Sequence, residues 1–198
     1  MKQVTKMDVV EIFDSMQGEG EYMGVMCTFV RFSGCNLSCH FCDERLKYPL
    51  SKAMTIPQIV KKCKQDTIVL TGGEPTIQPA LRELMDALGA AGKQIHIETN
   101  GTNVVPYESR ENVYVTCSPK APHFVVNCNP DEIKLVVDED LKINTALQIA
   151  DNHCDYVWLQ PCDGPELHKS VKKILQWLKK YPDKFRAGIQ LHKWYGVV

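Results

Sequence analysis

Short runs of β-branched and aromatic residues alternate along the chain with longer segments of helical period. The strand-like runs are DVVEIF (8–13), VMCTFVRF (25–32), TIVL (67–70), QIHIE (94–98), VYVTC (113–117), DEIKLVV (131–137), DYVWLQ (155–160) and FRAGIQL (185–191). Between them, Thr55-Ile56-Pro57-Gln58 reads as a capping box with proline in the first turn, opening a helix toward Lys64. Residues 77–90 place Leu81, Leu84, Met85 and Leu88 on one face, with Gly89 or Gly92 as a stop. Further helices are predicted near 141–151 and 165–180. Segments 99–112 and 121–130 hold Pro, Asn and Gly without helical period, so two crossovers are shortened or irregular. A complete eight-unit barrel takes about 250 residues, and this chain has 198. The expected fold is α/β, an incomplete (β/α) barrel with shortened or missing crossover helices. No repeat or linker divides it, so one domain is expected over residues 1–198.

Composition changes this picture little. The chain is 44% hydrophobic and 24% charged, ordinary for a globular domain. Its 23 Lys+Arg against 24 Asp+Glu give a net charge of -1 and no broad electrostatic reason for a nucleic-acid or anionic-membrane partner. The start, MKQVTKMDVVEIF, lacks the features of a signal peptide, and no apolar run reaches membrane-spanning length. A cytoplasmic location is expected. Nine cysteines, an odd number without a secretory signal, point to reduced thiols. Cys27, Cys63, Cys117, Cys128, Cys154 and Cys162 are widely spaced and have no ligand-like pairing, so small buried hydrophobes are expected there.

The remaining cysteines are different. Residues 34–44, GCNLSCHFCDE, bring Cys35, Cys39 and Cys42 together among polar neighbours. Structural zinc wants a fourth ligand, which His40 or a distant cysteine would have to supply. A thioredoxin-like C-x-x-C has no use for Cys35. Chance clustering in a core fits poorly with Asn36, Ser38, His40 and Asp43. A cubane iron–sulfur cluster bound by three thiolates keeps one iron open to an exogenous ligand.

In parallel α/β folds, chemistry gathers at the carboxyl ends of the strands. Here TIVL runs into Thr71-Gly72-Gly73-Glu74-Pro75, QIHIE into Thr99-Asn100-Gly101, VYVTC into Ser118-Pro119-Lys120, and DYVWLQ into Pro161-Cys162-Asp163-Gly164. Any one of these alone reads as an ordinary turn. Together with the cysteine loop they are expected to ring one mouth.

The C-x-x-x-C-x-x-C spacing with Phe41 before the last cysteine, and GGEP at 72–75, resemble the radical S-adenosylmethionine (SAM) superfamily, with 34–54 as the cluster-binding loop. Ser15-Met16-Gln17-Gly18-Glu19-Gly20, Arg31-x-x-GCN-L, ETNGT (98–102), SPK (118–120), QP-x-D (160–163) and the terminal QLHKW-x-G closely resemble the 7-carboxy-7-deazaguanine synthase family. That resemblance implies a [4Fe–4S] cluster on Cys35, Cys39 and Cys42. It implies SAM bound beside Phe41, Asp43, Gly73, Ser118, Pro119, Lys120, Gln160, Pro161, Cys162 and Asp163. It implies a pterin substrate at Met16, Gln17, Gly18, Glu19, Arg31, Thr71 and the C-terminal Val198, with Arg31 on the substrate carboxylate. The implied reaction converts 6-carboxy-5,6,7,8-tetrahydropterin to 7-carboxy-7-deazaguanine with loss of ammonia, toward queuosine and other 7-deazapurines. A reductase partner such as flavodoxin and a homodimer are implied as well.

One departure stands out. The family follows its last cluster cysteine with Asp-Thr, the threonine helping to bind Mg2+, whereas this chain has Glu44. A carboxylate suits a hard cation but is longer and charged. Two rival readings are a glycyl-radical activase, which leaves Gln17, Glu19 and Arg31 without a purpose, and a non-catalytic iron–sulfur or zinc module, which does not need the ring of strand-end motifs.

Overall fold

A computed structural model describes residues 5–42, 44–107 and 109–197. Its frame is a nine-stranded sheet in the order β3-β1-β2-β4-β5-β6-β7-β8-β9. Strand β1 (Lys6–Met16) pairs antiparallel with β2 (Met26–Phe32) and with β3 (Lys52–Thr55). From β2 onward every neighbour is parallel: β4 (Thr67–Gly72), β5 (Gln94–Thr99), β6 (Val113–Cys117), β7 (Glu132–Val137), β8 (Val157–Pro161) and β9 (Phe185–Ala187). The two ends of the sheet do not pair, so the barrel is open as the chain length requires.

Helices α1 (Ile56–Lys62), α2 (Leu81–Ala90), α3 (Ile143–His153) and α4 (Leu167–Lys180) supply the crossovers, and α5 (Leu191–Tyr195) follows β9. The Thr55 N–H donates to Gln58 Oε1 at 2.9 Å, the second half of the capping box. Leu81, Leu84, Met85 and Leu88 are buried, the face read from the sequence. No described helix spans 99–112 or 121–130.

Two elements differ from expectation. KAMT, at the end of the predicted cluster loop, is the edge strand β3. FRAGIQL is a strand only to Ala187: Gly188 lies so close to Gln160 that a Cβ would sit 2.6 Å from its Oε1. Beyond it the chain leaves the sheet and forms α5.

Alternation along the parallel strands sorts the side chains into two sets. Val30, Phe32, Ile68, Leu70, Ile95, Ile97, Val115, Ile133, Leu135, Val137, Val157 and Leu159 are buried in the hydrophobic core. The intervening residues face the concave side and include Arg31, Thr71, Glu98, Thr116, Lys134 and Gln160, all of which line one cavity. The register sets them side by side, Arg31 opposite Thr71, Glu98 opposite Thr116, and Val136 opposite Gln160. A polar interior face on an otherwise apolar sheet is costly to bury, and its concentration in one cavity marks where the chemistry lies.

Candidate active site

The cavity encloses about 480 Å3. The loop after β2 brings Cys35, Cys39 and Cys42 to its wall, each half-buried and without a disulfide partner. Burial pushes the Cys39 thiol above its ordinary value; Lys120 opposes the rise, and Cys35 and Cys42 add to it. Three crowded sulfurs of this kind are stabilised as thiolates by a cationic cluster.

The turn after β4 is built to touch this loop. A Cβ on Gly73 would lie 1.6 Å from the Gly34 carbonyl oxygen, so only glycine fits there. The neighbouring Glu74 N–H donates to that oxygen at 2.8 Å. The Glu74 carboxylate, 1% exposed, accepts from Thr76 N (3.1 Å), Thr76 Oγ1 (2.6 Å), Thr99 Oγ1 (2.7 Å) and Asn100 N (2.7 Å). It ties the glycine turn to the ETNGT turn. Asn100 carries the tie on to the cluster loop, its Nδ2 lying 2.9 Å from Asn36 Oδ1 and 3.8 Å from Cys35 Sγ.

A second polar group lies across the cavity. Lys134 Nζ is 2.7 Å from Glu19 Oε2 and 3.5 Å from Glu98 Oε1. Gln17 Nε2 donates to Glu98 Oε1 and Gln190 Nε2 to Glu19 Oε1, both at 2.9 Å. Burial pushes Glu19 toward the neutral form, but Lys134 and the donor from Gln190 prevail and hold it at about 2. Burial likewise opposes the charge on Lys134, and Glu19 and Glu98 overcome it and raise Lys134 above the usual lysine range.

Arg31 is held from two sides, Nε 2.8 Å from Glu11 Oε1 and Nη1 2.7 Å from Glu44 Oε1, with its guanidinium carbon 5.5 Å from the centre of the Phe13 ring. Glu44, at the threonine position of the resemblance, is thus an ion-pair partner of the arginine assigned to the substrate. Lys120 is half-buried and donates to Ser118 Oγ. Burial and the nearby Lys134 lower its pKa. Gln160 Nε2 is buried without a hydrogen-bond partner among the described residues, and such an orphan donor calls for a ligand acceptor.

Of the predicted site residues, Cys35, Cys39, Cys42, Phe41, Glu44, Met16, Gln17, Gly18, Glu19, Arg31, Thr71, Gly73, Ser118, Lys120, Gln160, Pro161, Cys162 and Asp163 all line the cavity. Pro119 is not on the wall; it joins Ser118 to Lys120. Asp43 and Val198 lie outside the described residues. Gly18 carries a tight contact, because a Cβ there would meet His192 Nδ1 at 1.9 Å, and its carbonyl accepts from Leu191 N at 2.9 Å. The β1–β2 turn and α5 therefore close against each other. Lys193 pairs with Asp163 and fastens α5 to the β8 loop as well. Sequence reasoning gave no role to Glu98, Asn100, Lys134, Gln190 or His192. No signal in the sequence marked Lys134, whose inward position only the strand register reveals; the others stand inside motifs that were recognised without roles.

With the site in view, comparison places the chain. A family model described as the radical SAM superfamily matches residues 29–182, so the chain belongs to that superfamily. The superfamily is defined by a [4Fe–4S] cluster and SAM; the half-buried thiols of Cys35, Cys39 and Cys42 and the orphan donor of Gln160 fit such a pair. The chain is 39% identical to the 7-carboxy-7-deazaguanine synthase of Bacteroides thetaiotaomicron, over 92% of this chain and 94% of that protein. It is 36% identical to that of Neisseria meningitidis, over 96% and 93%. It is therefore a member of the 7-carboxy-7-deazaguanine synthase family. The crystal structure of QueE from Escherichia coli has the same fold, with a TM-score of 0.77 at 23% identity over 94% of this chain and 95% of that one.

Proposed function

We propose that the protein converts 6-carboxy-5,6,7,8-tetrahydropterin to 7-carboxy-7-deazaguanine and ammonia, a step toward queuosine or another 7-deazapurine. The observation that carries this reading is the meeting of the three-cysteine loop with the Arg31 and Lys134–Glu19–Glu98 groups in a single cavity. When bound, the cluster and SAM supply hydrogen-atom abstraction.

The chain's own groups position the reactants. Cys35, Cys39 and Cys42 hold the cluster. The Gly73 turn, Ser118, Lys120 and Gln160 bind SAM, with the half-buried Lys120 ammonium and the buried Gln160 amide serving as donors to its amino-acid and ribose oxygens. Arg31 receives the pterin carboxylate in a charge-assisted pair. Glu19, kept as a carboxylate by Lys134, and its neighbour Glu98 accept from the N–H edge of the aminopyrimidinone ring. Lys134 costs no reorganisation during the reaction because its charge is already compensated. Phe13 and Phe29, stacked with ring centres 5.2 Å apart, close the wall beside Arg31 and keep water from it. We assign Glu44 to a magnesium ion that touches the substrate, a low-potential reductase as electron source, a homodimeric assembly and a cytoplasmic setting. No helix among the described residues is long and apolar enough to cross a membrane.

The test is anaerobic incubation of reconstituted protein with SAM, reductant and 6-carboxytetrahydropterin, with and without magnesium, followed by mass spectrometry. The deazaguanine product is expected. SAM cleavage to 5′-deoxyadenosine without that product would keep the radical chemistry and overturn the substrate.

A further inference from the structure

Asn100 follows β5 in the ETNGT turn and is only 8% exposed. Its side chain is held in a closed ring of hydrogen bonds. The Thr102 N–H donates to Asn100 Oδ1 at 3.0 Å, and Thr102 Oγ1 donates to the same oxygen at 2.7 Å. Asn36 Nδ2 donates to Thr102 Oγ1 at 2.8 Å, and Asn100 Nδ2 donates to Asn36 Oδ1 at 2.9 Å.

Counting protons fixes the direction of the ring. A backbone N–H can only donate, so the atom that Asn100 turns toward Thr102 N is its oxygen. The amide nitrogen therefore faces the cluster loop. One of its two N–H groups is taken up by Asn36, and the second faces Cys35 Sγ, 3.8 Å from the nitrogen. The Leu37 N–H reaches the same sulfur at 3.4 Å. The Asn100 backbone is fixed as well, its N–H donating to the buried Glu74 carboxylate at 2.7 Å.

For a neutral thiol such a donor gains little, because that sulfur is a weak acceptor. For a thiolate the bond is charge-assisted. We infer that Asn100 is a positioning residue for electron uptake: its second amide N–H donates to the Cys35 thiolate and raises the potential at which the bound cluster accepts an electron. The inference rests on the proposed assignment of Cys35, Cys39 and Cys42 to a [4Fe–4S] cluster. Reduction adds one electron and leaves every bond in place. The added negative charge is shared with the sulfurs, so a donor on one of them stabilises the reduced form more than the oxidised form.

The test is a redox titration of the cluster-loaded enzyme without SAM, with dithionite as the one-electron source and electron paramagnetic resonance of the reduced cluster as the signal. At a fixed applied potential, N100A is expected to lower the ratio of reduced to oxidised cluster about tenfold, a shift of about 59 mV for one electron. N100D keeps the shape and the acceptor for Thr102 but has no amide N–H, and its ratio should fall at least as far. N36A breaks the same ring and leaves the donor on Cys35, so its ratio is expected to match that of the unmodified enzyme. A direct readout comes from enzyme grown with nitrogen-15 asparagine. The electron spin echo modulation of its reduced cluster should show a nitrogen coupling that changes with the label and that N100D lacks.

An unchanged ratio in N100A and N100D at full iron content would overturn the inference, as would a missing label-sensitive coupling in the unmodified enzyme. An equal fall in N36A would also overturn it, giving the ring a purely structural role in the loop. Where a variant fails to take up iron, the coupling in the unmodified enzyme decides. An unmodified enzyme that takes up no [4Fe–4S] cluster on reconstitution would instead overturn the reading of the three cysteines, and the inference with it.

Discussion

Replacing Glu74 with glutamine isolates the tie between the glycine turn and the cluster side of the cavity. The carboxylate accepts four hydrogen bonds, three on Oε1 and one on Oε2, and it is 1% exposed. In E74Q the carbonyl can keep the three donors of Oε1, but the amide nitrogen then faces the Asn100 N–H across the 2.7 Å now spanned by a hydrogen bond. A charge-assisted bond is lost, about 1.5–3 kcal/mol, and a buried N–H is left unmet, about 1–3 kcal/mol. The sum, about 2.5–6 kcal/mol, is a large part of a typical domain's stability. At about 2–4 °C per kcal/mol for a chain of this size, Tm should fall by roughly 5–24 °C in a thermal shift assay. Asn100 also loses its anchor, so the electron paramagnetic resonance signal of the reduced cluster should broaden or shift through the contact at Cys35. A fall in Tm of less than about 2 °C would refute the four-bond account.

Alanine at Cys35, Cys39 or Cys42 should each reduce bound iron to background in an anaerobic iron assay and abolish SAM cleavage. Alanine at Gly18 puts a methyl group 1.9 Å from His192 Nδ1; α5 must move, and KM for the pterin should rise more than kcat falls in steady-state assays. Glu19, whose carboxyl is lowered from 4.5 to about 2 in the fold, stabilises the protein fully above about pH 4.5 and loses that contribution as pH falls toward 2. The full contribution is about 3.5 kcal/mol at roughly 1.4 kcal/mol per pKa unit. E19Q should therefore flatten the acid limb of an unfolding curve, recorded by circular dichroism on protein without the cluster, between those pH values.

The parallel strands, the four crossover helices and the open barrel were legible because each rests on a local pattern that agrees with the global one. KAMT was not, since four residues with one lysine carry no strand signal of their own and become β3 only by pairing with β1. FRAGIQL misled for the opposite reason. Its β-branched and aromatic residues suit a strand, but Gln190 is drawn across the cavity to Glu19 and Leu191 to Gly18, contacts made to residues more than 170 positions away in sequence. The cysteine loop and the strand-end turns announced themselves by composition. Lys134 did not, because one lysine within EIKLVV is indistinguishable from a solvent-facing position until the register sets it beside Glu19 and Glu98.

The same distinction bears on Glu44. Sequence offers it as a ligand for a hard cation; the structure adds that it already neutralises Arg31 across 2.7 Å, with Glu11 on the other side at 2.8 Å. In the role proposed for it, Arg31 would therefore meet a substrate carboxylate with its charge partly committed. A divalent ion on Glu44 would draw that carboxylate away and release the guanidinium, so ion and substrate reinforce each other, by equal factors in the two affinities. Glutamine at 44 keeps the shape and removes the charge. In the presence of a chelator, E44Q should bind the pterin about tenfold more tightly than the unmodified protein, which is about 1.4 kcal/mol, and added Mg2+ should tighten binding only in the unmodified protein. Calorimetric titration of the cluster-loaded enzyme reads both. Weaker pterin binding by E44Q in chelator would mean that Glu44 orients Arg31 for the substrate instead of competing with it.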